Sequence, residues 1–169
     1  MLALFRTSTL IASVITMGLM AGLFYAFSCS VMLGLHQADD RTFVTAMQRI
    51  NVAILNPWFM ISFFGALVFT ILAGVLRISG SGTGGGLLPW IVAATVLYIV
   101  AVAVTGGINV PLNNQLDAAG DPGAIADLAV VRAAFEATWV RWNVVRAVAC
   151  TAAFGCLAWA LVLHGRSSA

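Results

Sequence analysis

The sequence predicts an all-α integral membrane protein: a transmembrane four-helix bundle with additional interfacial amphipathic helices, forming one domain over residues 1–169. Two observations carry this. The chain is 62% hydrophobic and 8% charged, with a mean hydropathy of +1.02, which is outside the range of water-soluble domains. Its charges are also unevenly spread, leaving four stretches of about 20 residues or more that are nearly free of charge, the length an apolar helix needs to cross a bilayer.

The first span is predicted over about residues 8–35. Arg6 precedes it, but the run lacks the short apolar region and cleavage site of a signal peptide, so it reads as a helix. Asp39 and Asp40 then precede Phe43, Val44, Met47 and Ile50 at helical spacing, which predicts a short amphipathic helix at the membrane interface. Asn56-Pro57 opens the second span, 57–76, with proline at a first helical position and Asn56 as its cap. Residues Ser79 to Gly86, rich in glycine and serine, predict a flexible turn, and Leu88-Pro89 opens the third span, 88–108. After Asp121-Pro122 come Ile125, Leu128, Val131 and Phe135 on one face. No breaker separates them from the fourth span, 141–163, so one long helix is expected from about Pro122 to Leu163.

In an up-and-down bundle the end of span one, the start of two, the end of three and the start of four share one membrane face. That face collects His36, Gln48, Asn51, Asn56, Asn109, Asn113, Asn114, Glu136, Arg141, Asn143 and Arg146. Polar groups at membrane depth are costly unless partnered, so the asymmetry suggests a polar cavity opening at one leaflet; capping of helix ends is the alternative use for each Asn. Glu136, Trp139, Asn143 and Arg146 follow steps of three, four and three and therefore form one stripe, with Trp142 beside it. Arg146 falls inside the hydrocarbon boundary, where a guanidinium needs a partner, a cavity or a route to the interface. In Asn109-Val-Pro-Leu-Asn113, Pro111 removes an N–H and is expected to end the third helix. The amides of Asn109 and Asn113 would then answer freed carbonyls or a ligand, with Gly106-Gly107 easing the distortion.

Several classes are excluded. All eight basic residues are Arg, the formal charge is +2 and no basic tract exists, so nucleic acid is not a partner. Cys29, Cys150 and Cys156 lie in apolar runs and form neither a disulfide framework nor a CxxC motif. On the first span Gly18, Gly22, Tyr25, Cys29, Met32 and His36 share a stripe. Cys29, Met32 and His36 are ligand types that suit copper, although Met and Cys on such a stripe more often serve packing. Gly18-x-x-x-Gly22 indicates close helix contact, within the bundle or in a homo-oligomer.

Taken together, NVPLNNQL at 109–116, WVRWNVVR at 139–146 and QRINVAILNP at 48–57 resemble the anthrone oxygenase-like family of small four-span membrane proteins, over nearly the whole chain. The resemblance implies an oxygenase or oxidase that converts an anthrone-like or other electron-rich aromatic with dioxygen. It implies no cofactor beyond dioxygen as co-substrate; copper or haem stays open. On that reading Arg146, Asn109, Asn113 and Asn143 would hold a developing oxyanion, and Glu136 or His36 would take the proton. Trp139, Trp142 and Tyr25 would offer stacking surfaces, with Asn51 and Asn56 as further substrate-side amides. A noncatalytic assembly subunit of the membrane and a small-molecule carrier or binding protein are the other readings. The expected partners are the lipid bilayer and a small hydrophobic aromatic. Arg6, Arg77 and Arg166 flank the plainer face without nearby acids, so both termini are expected in the cytoplasm of a bacterium, with the chain in its inner membrane.

Overall fold

Four helices are long and apolar enough to cross a membrane, as the charge-poor stretches require. The structure, a computed structural model, describes residues 1–78 and 86–168, without the side chains of 167 and 168. The expected glycine turn after Ile78 lies largely outside the described residues. Among the described residues the helices are α1 (Leu2–His36), α2 (Asp40–Ala53), α3 (Pro57–Ile78), α4 (Leu88–Ala118) and α5 (Leu128–Ser168). Helices α1, α3, α4 and α5 form the bundle: α1 packs on α3 and α5, and α4 packs on α5 and α3, so neighbours in the sequence are neighbours in space.

Small residues set the packing inside the membrane. Ala66, Ala94, Ala101, Ala153 and Ala160 are buried between the helices around Met17, Tyr98 and Leu157, which lets backbones approach where no hydrophobic drive brings helices together. The hydroxyl of Tyr98 donates to the Phe63 carbonyl at 2.7 Å and ties α4 to α3. Gly18 abuts the ring of Phe154 on α5, so this half of the Gly18-x-x-x-Gly22 pair serves contact inside the bundle, while Gly22 has open space beside it.

Helix α1 has 35 residues and α4 has 31, more than the hydrocarbon layer needs. Their C-terminal ends and the start of α5 continue past the membrane core and build a second one with α2. Met32, Phe43, Val44, Met47, Leu116, Phe135 and Trp139 are buried there, with Ile50, Ile125, Leu128 and Val131 packed against them. The two expected amphipathic faces therefore meet each other. Asp39 caps α2, accepting from the Thr42 amide at 3.0 Å and the Thr42 hydroxyl at 2.6 Å, and these bonds hold its carboxyl below the ordinary value. Asn56 caps α3 by accepting from the Phe59 amide at 3.1 Å.

Three boundaries differ from the sequence reading. The fourth helix starts at Leu128, not near Pro122, because the chain turns at Asp121 and Gly123 and Asp127 supplies the cap, accepting from the Val130 amide at 3.1 Å. It also runs beyond Leu163. The third span does not end at Pro111. A wide π-helical segment, Thr105–Asn109, precedes the proline, which then sits in the first turn of the following α-helical stretch, where its missing N–H is tolerated. Gly120, with φ of +84°, lies in the turn that follows the helix. A matching π-helical segment, Phe27–Val31, lies in α1.

Candidate active site

Both π-helical segments meet α5 between Asn143 and Arg146. Asn143 donates through Nδ2 to the Phe24 carbonyl at 2.9 Å and to the Ser28 hydroxyl at 2.8 Å, and its Oδ1 accepts from Arg146 Nη2 at 2.9 Å. On the other side Arg146 Nη1 reaches the Thr105 hydroxyl at 3.4 Å. The guanidinium lies over the Phe24 ring at 4.4 Å and is 5.3 Å from the Trp139 ring. Arg146 is 5% exposed, and Asn109 and Asn143 are 1% exposed. No ion pair among the described residues involves Arg146. Among the described residues this cation makes its contacts with neutral oxygens and ring faces.

Trp139 organises the neighbouring wall. Its indole Nε1 donates to Asn113 Oδ1 at 2.8 Å, and its carbonyl accepts from Asn109 Nδ2 at 3.3 Å. The second contact fixes the orientation of the Asn109 amide and leaves Oδ1 as the atom facing away from Trp139.

These groups line one cavity of about 220 Å³, larger than the ~150 Å³ cavity known to hold benzene. Buried Arg146, Asn143 and Asn109 with half-buried Thr105 form its inner end, and Phe24, Phe27, Phe59 and Trp139 supply aromatic wall. Val52, Leu55, Val110, Asn114 and Asp117 are its exposed members and mark the mouth. Three buried polar atoms on this lining have no hydrogen-bond partner among the described residues: Arg146 Nε, Asn109 Oδ1 and Asn51 Nδ2. Buried polar groups are nearly always satisfied, so three orphans around one space indicate a ligand or water that completes them. Two are donors and one is an acceptor.

Of the sequence-predicted site residues, Arg146, Asn109, Asn113, Asn143, Trp139 and Asn51 come together here. The others do not. Glu136 and His36 lie outside the lining: Glu136 is held by Arg132 Nε at 2.6 Å and His36 Nδ1 at 2.7 Å. Arg132 also donates to the carbonyls of Ala38 at 2.8 Å and His36 at 2.9 Å and to Asp40 at 3.0 Å, so this network fastens the end of α1 to α5. Asn56 is occupied as the cap of α3, and Trp142 is half-buried away from the cavity. Tyr25 is exposed on the outer face of α1. The copper alternative fares no better, since Cys29 is exposed, Met32 is packed in the second core and His36 pairs with Glu136. Among the described residues no three His, Cys, Asp or Glu side chains are grouped to hold a metal ion.

Phe24, Phe27, Ser28, Thr105 and Asp117 were not foreseen. Phe24 is adjacent to Tyr25, and one residue on a helix is a turn of about 100°. Because α1 is apolar on every side, its sequence carries little signal for which face looks inward.

A family model described as Anthrone oxygenase matches residues 58–156, more than half of the chain. The match includes Thr105, Asn109, Asn113, Trp139, Asn143 and Arg146, whereas Phe24 and Asn51 lie before it. No curated protein and no solved structure matches the chain.

Proposed function

Because the chain belongs to the anthrone oxygenase family, we propose that this cavity binds an anthrone-like or other electron-rich, hydroquinone-type aromatic and exposes it to dioxygen, making the protein a membrane oxidoreductase. The carrying observation is the buried Arg146, unpaired with any acid, at the closed end of an aromatic-walled cavity whose lining has three unpartnered polar atoms.

An anthrone loses a proton from the ring carbon opposite its carbonyl, and the negative charge is shared with the carbonyl oxygen. In this reading Arg146 holds that oxygen, with Asn51 as a second donor, while Asn109 Oδ1 accepts from a ring hydroxyl. Fixed donors contribute most where water is excluded, and here they favour the anion over the neutral substrate. The anionic carbon then adds dioxygen. A carbon–oxygen bond forms, and loss of water breaks the oxygen–oxygen bond and the remaining carbon–hydrogen bond to leave a second carbonyl. One dioxygen is consumed per quinone, one of its atoms stays in the product, and the other leaves as water. The proton taken from carbon passes to the mouth beside Asp117, the lining's carboxylate, and one proton returns to the peroxide oxygen so that the departing oxygen leaves as water; Glu136 and His36 are given no part in the step. Dioxygen is the only co-substrate in this proposal.

The apolar rim formed by Val52, Leu55 and Val110 suits a substrate that partitions into the bilayer. We place both termini in the cytoplasm of a bacterial inner membrane, with the mouth on the opposite side, from the acid-free arginine flanks.

Purified protein in non-ionic detergent, given an electron-rich anthrone, is expected to consume dioxygen and form quinone in equal amounts, saturably, and faster than the Arg146→Gln variant. Rates equal to detergent alone would reject the proposal.

A further inference from the structure

The far end of the bundle holds a second site. Arg6 on α1, Arg77 on α3 and His164 on α5 line one small cavity whose remaining walls include Leu10, Ala73 and Ile91. Three helices thus bring two permanent cations and an imidazole to the same place. The chain's six acidic residues all lie between Asp39 and Glu136, toward the other end of the bundle, and none occurs in residues 1–38, 41–116 or 137–169. Two guanidinium groups converging at the rim of a low-dielectric interior repel one another unless an anion joins them.

Two further observations point to that anion. The Nε atoms of Arg6 and Arg77 are both buried and have no hydrogen-bond partner among the described residues. With the three orphans of the candidate active site, they complete the set of buried, unpartnered side-chain polar atoms among the described residues, so these atoms line just the two cavities. The imidazole of His164 is also positioned: the Thr7 hydroxyl donates to the Ala3 carbonyl at 3.1 Å, so its oxygen accepts from His164 Nε2–H at 2.8 Å.

The cavity is about 10 Å³, room for about one water-sized group. It therefore takes a single anionic oxygen, the rest of the ligand remaining outside. Around it, Leu2, Leu4, Phe5 and Ile78 expose apolar surface, which suits acyl chains. We propose that Arg6 and Arg77, with His164 beside them, bind the phosphodiester of an anionic phospholipid, one non-bridging oxygen of which seats between the two Nε–H groups. The lipid fastens α1, α3 and α5 together at the end where α2 and the second core are absent.

The test uses the full chain in non-ionic detergent, with phosphatidylglycerol, phosphatidylcholine and inorganic phosphate as separate probes. Native mass spectrometry reads retained adducts, and thermal melting reads stabilisation. Wild type is expected to retain phosphatidylglycerol and to melt higher with it, with phosphatidylcholine weaker. An R6Q/R77Q variant should bind about thirtyfold more weakly, each basic residue at a membrane surface contributing about a factor of five. Arg6→Lys with Arg77→Lys should recover part of the binding by charge alone. A melting shift with inorganic phosphate alone, lost in the R6Q/R77Q variant, would support the same anion site and identify free phosphate as its source. Wild type that retains none of the probes overturns the proposal whatever the variants do, as does equal retention by wild type and a folded R6Q/R77Q variant.

Discussion

Replacing Arg146 by methionine separates catalysis from folding, because the energies on the two sides differ in kind. In the ligand-free protein the guanidinium gains a charged hydrogen bond to Asn143 Oδ1 at 2.9 Å, about 1.5–3 kcal/mol, and a desolvated ring contact with Phe24, about 2 kcal/mol. Against this stands the cost of an arginine at membrane depth, about 2.5–3.5 kcal/mol or more. Methionine follows the arginine chain only as far as the Nε position and removes the charge, and it orphans one amide oxygen at about 1–3 kcal/mol. With the hydrogen bond counted once, as that orphaned oxygen, the losses come to about 3–5 kcal/mol against about 2.5–3.5 kcal/mol or more relieved, so Arg146→Met should stay folded and melt within about ten degrees of wild type. Turnover should not. Loss of one donor to a developing oxyanion removes about 2.7–4 kcal/mol of transition-state stabilisation, a fall of 10²–10³ in rate. Arg146→Lys keeps the charge but loses the planar fork and the Nε–H and should also lose most activity. The assay is dioxygen consumption with quinone absorbance, run beside thermal melting in the same detergent. Unchanged turnover in a folded Arg146→Met protein would refute the oxyanion role, and activity that falls only in step with melting would make the residue structural.

Trp139→Phe keeps a ring beside the guanidinium but loses the 2.8 Å bond to Asn113, so KM for the aromatic is expected to rise several-fold with a smaller change in kcat, measured by the same dioxygen assay. Gly18→Val forces a side chain toward the Phe154 ring, where an added Cβ already stands at 3.0 Å; it should destabilise the fold by about 1–3 kcal/mol in thermal melting, while Gly22→Ala, with open space, should be close to neutral. Asp39 makes its contribution as a carboxylate with its proton affinity lowered first by the Thr42 hydroxyl and then by the Thr42 amide. A lowered carboxyl contributes stability above its unfolded value and loses it as pH falls through the folded one. The protection of amides at the start of α2 against hydrogen exchange, taken relative to the intrinsic rate at each pH, is therefore expected to fall as pH drops below about 4, and Asp39→Asn should remove that pH dependence while keeping the cap.

The legible parts of this protein are those where a polar residue breaks an apolar background. Arg146, Asn143 and Trp139 showed their face on α5 because their spacing stands out against alanine and valine, and Asn109 and Asn113 did so beside a proline. Helix α1 carries no such contrast, so a face shifted by one residue brought Tyr25 inward in the sequence reading and left Phe24 out. Glu136 lies one turn before Trp139 and two before Asn143 in the same polar stripe, yet its charge is spent on Arg132, one turn earlier on the same helix, and on His36, a pairing across a hundred residues that no local pattern reports. The π-helical segments explain most of the remainder. Proline at 111 normally ends a helix, and a reading by α-helical periodicity ends it there. One wider turn before it, through Gly106 and Gly107, lets α4 continue and turns Asn109 inward with 1% exposure. The corresponding turn in α1 brings Ser28 and the Phe24 carbonyl to Asn143. A helix that widens once shifts the register of everything beyond it, and α1 and α4 both widen where they meet Asn143 and Arg146. The polar end of the cavity is thus built from two departures from the 3.6-residue period. That places its construction beyond reach of a periodic reading even where its individual residues were recognisable.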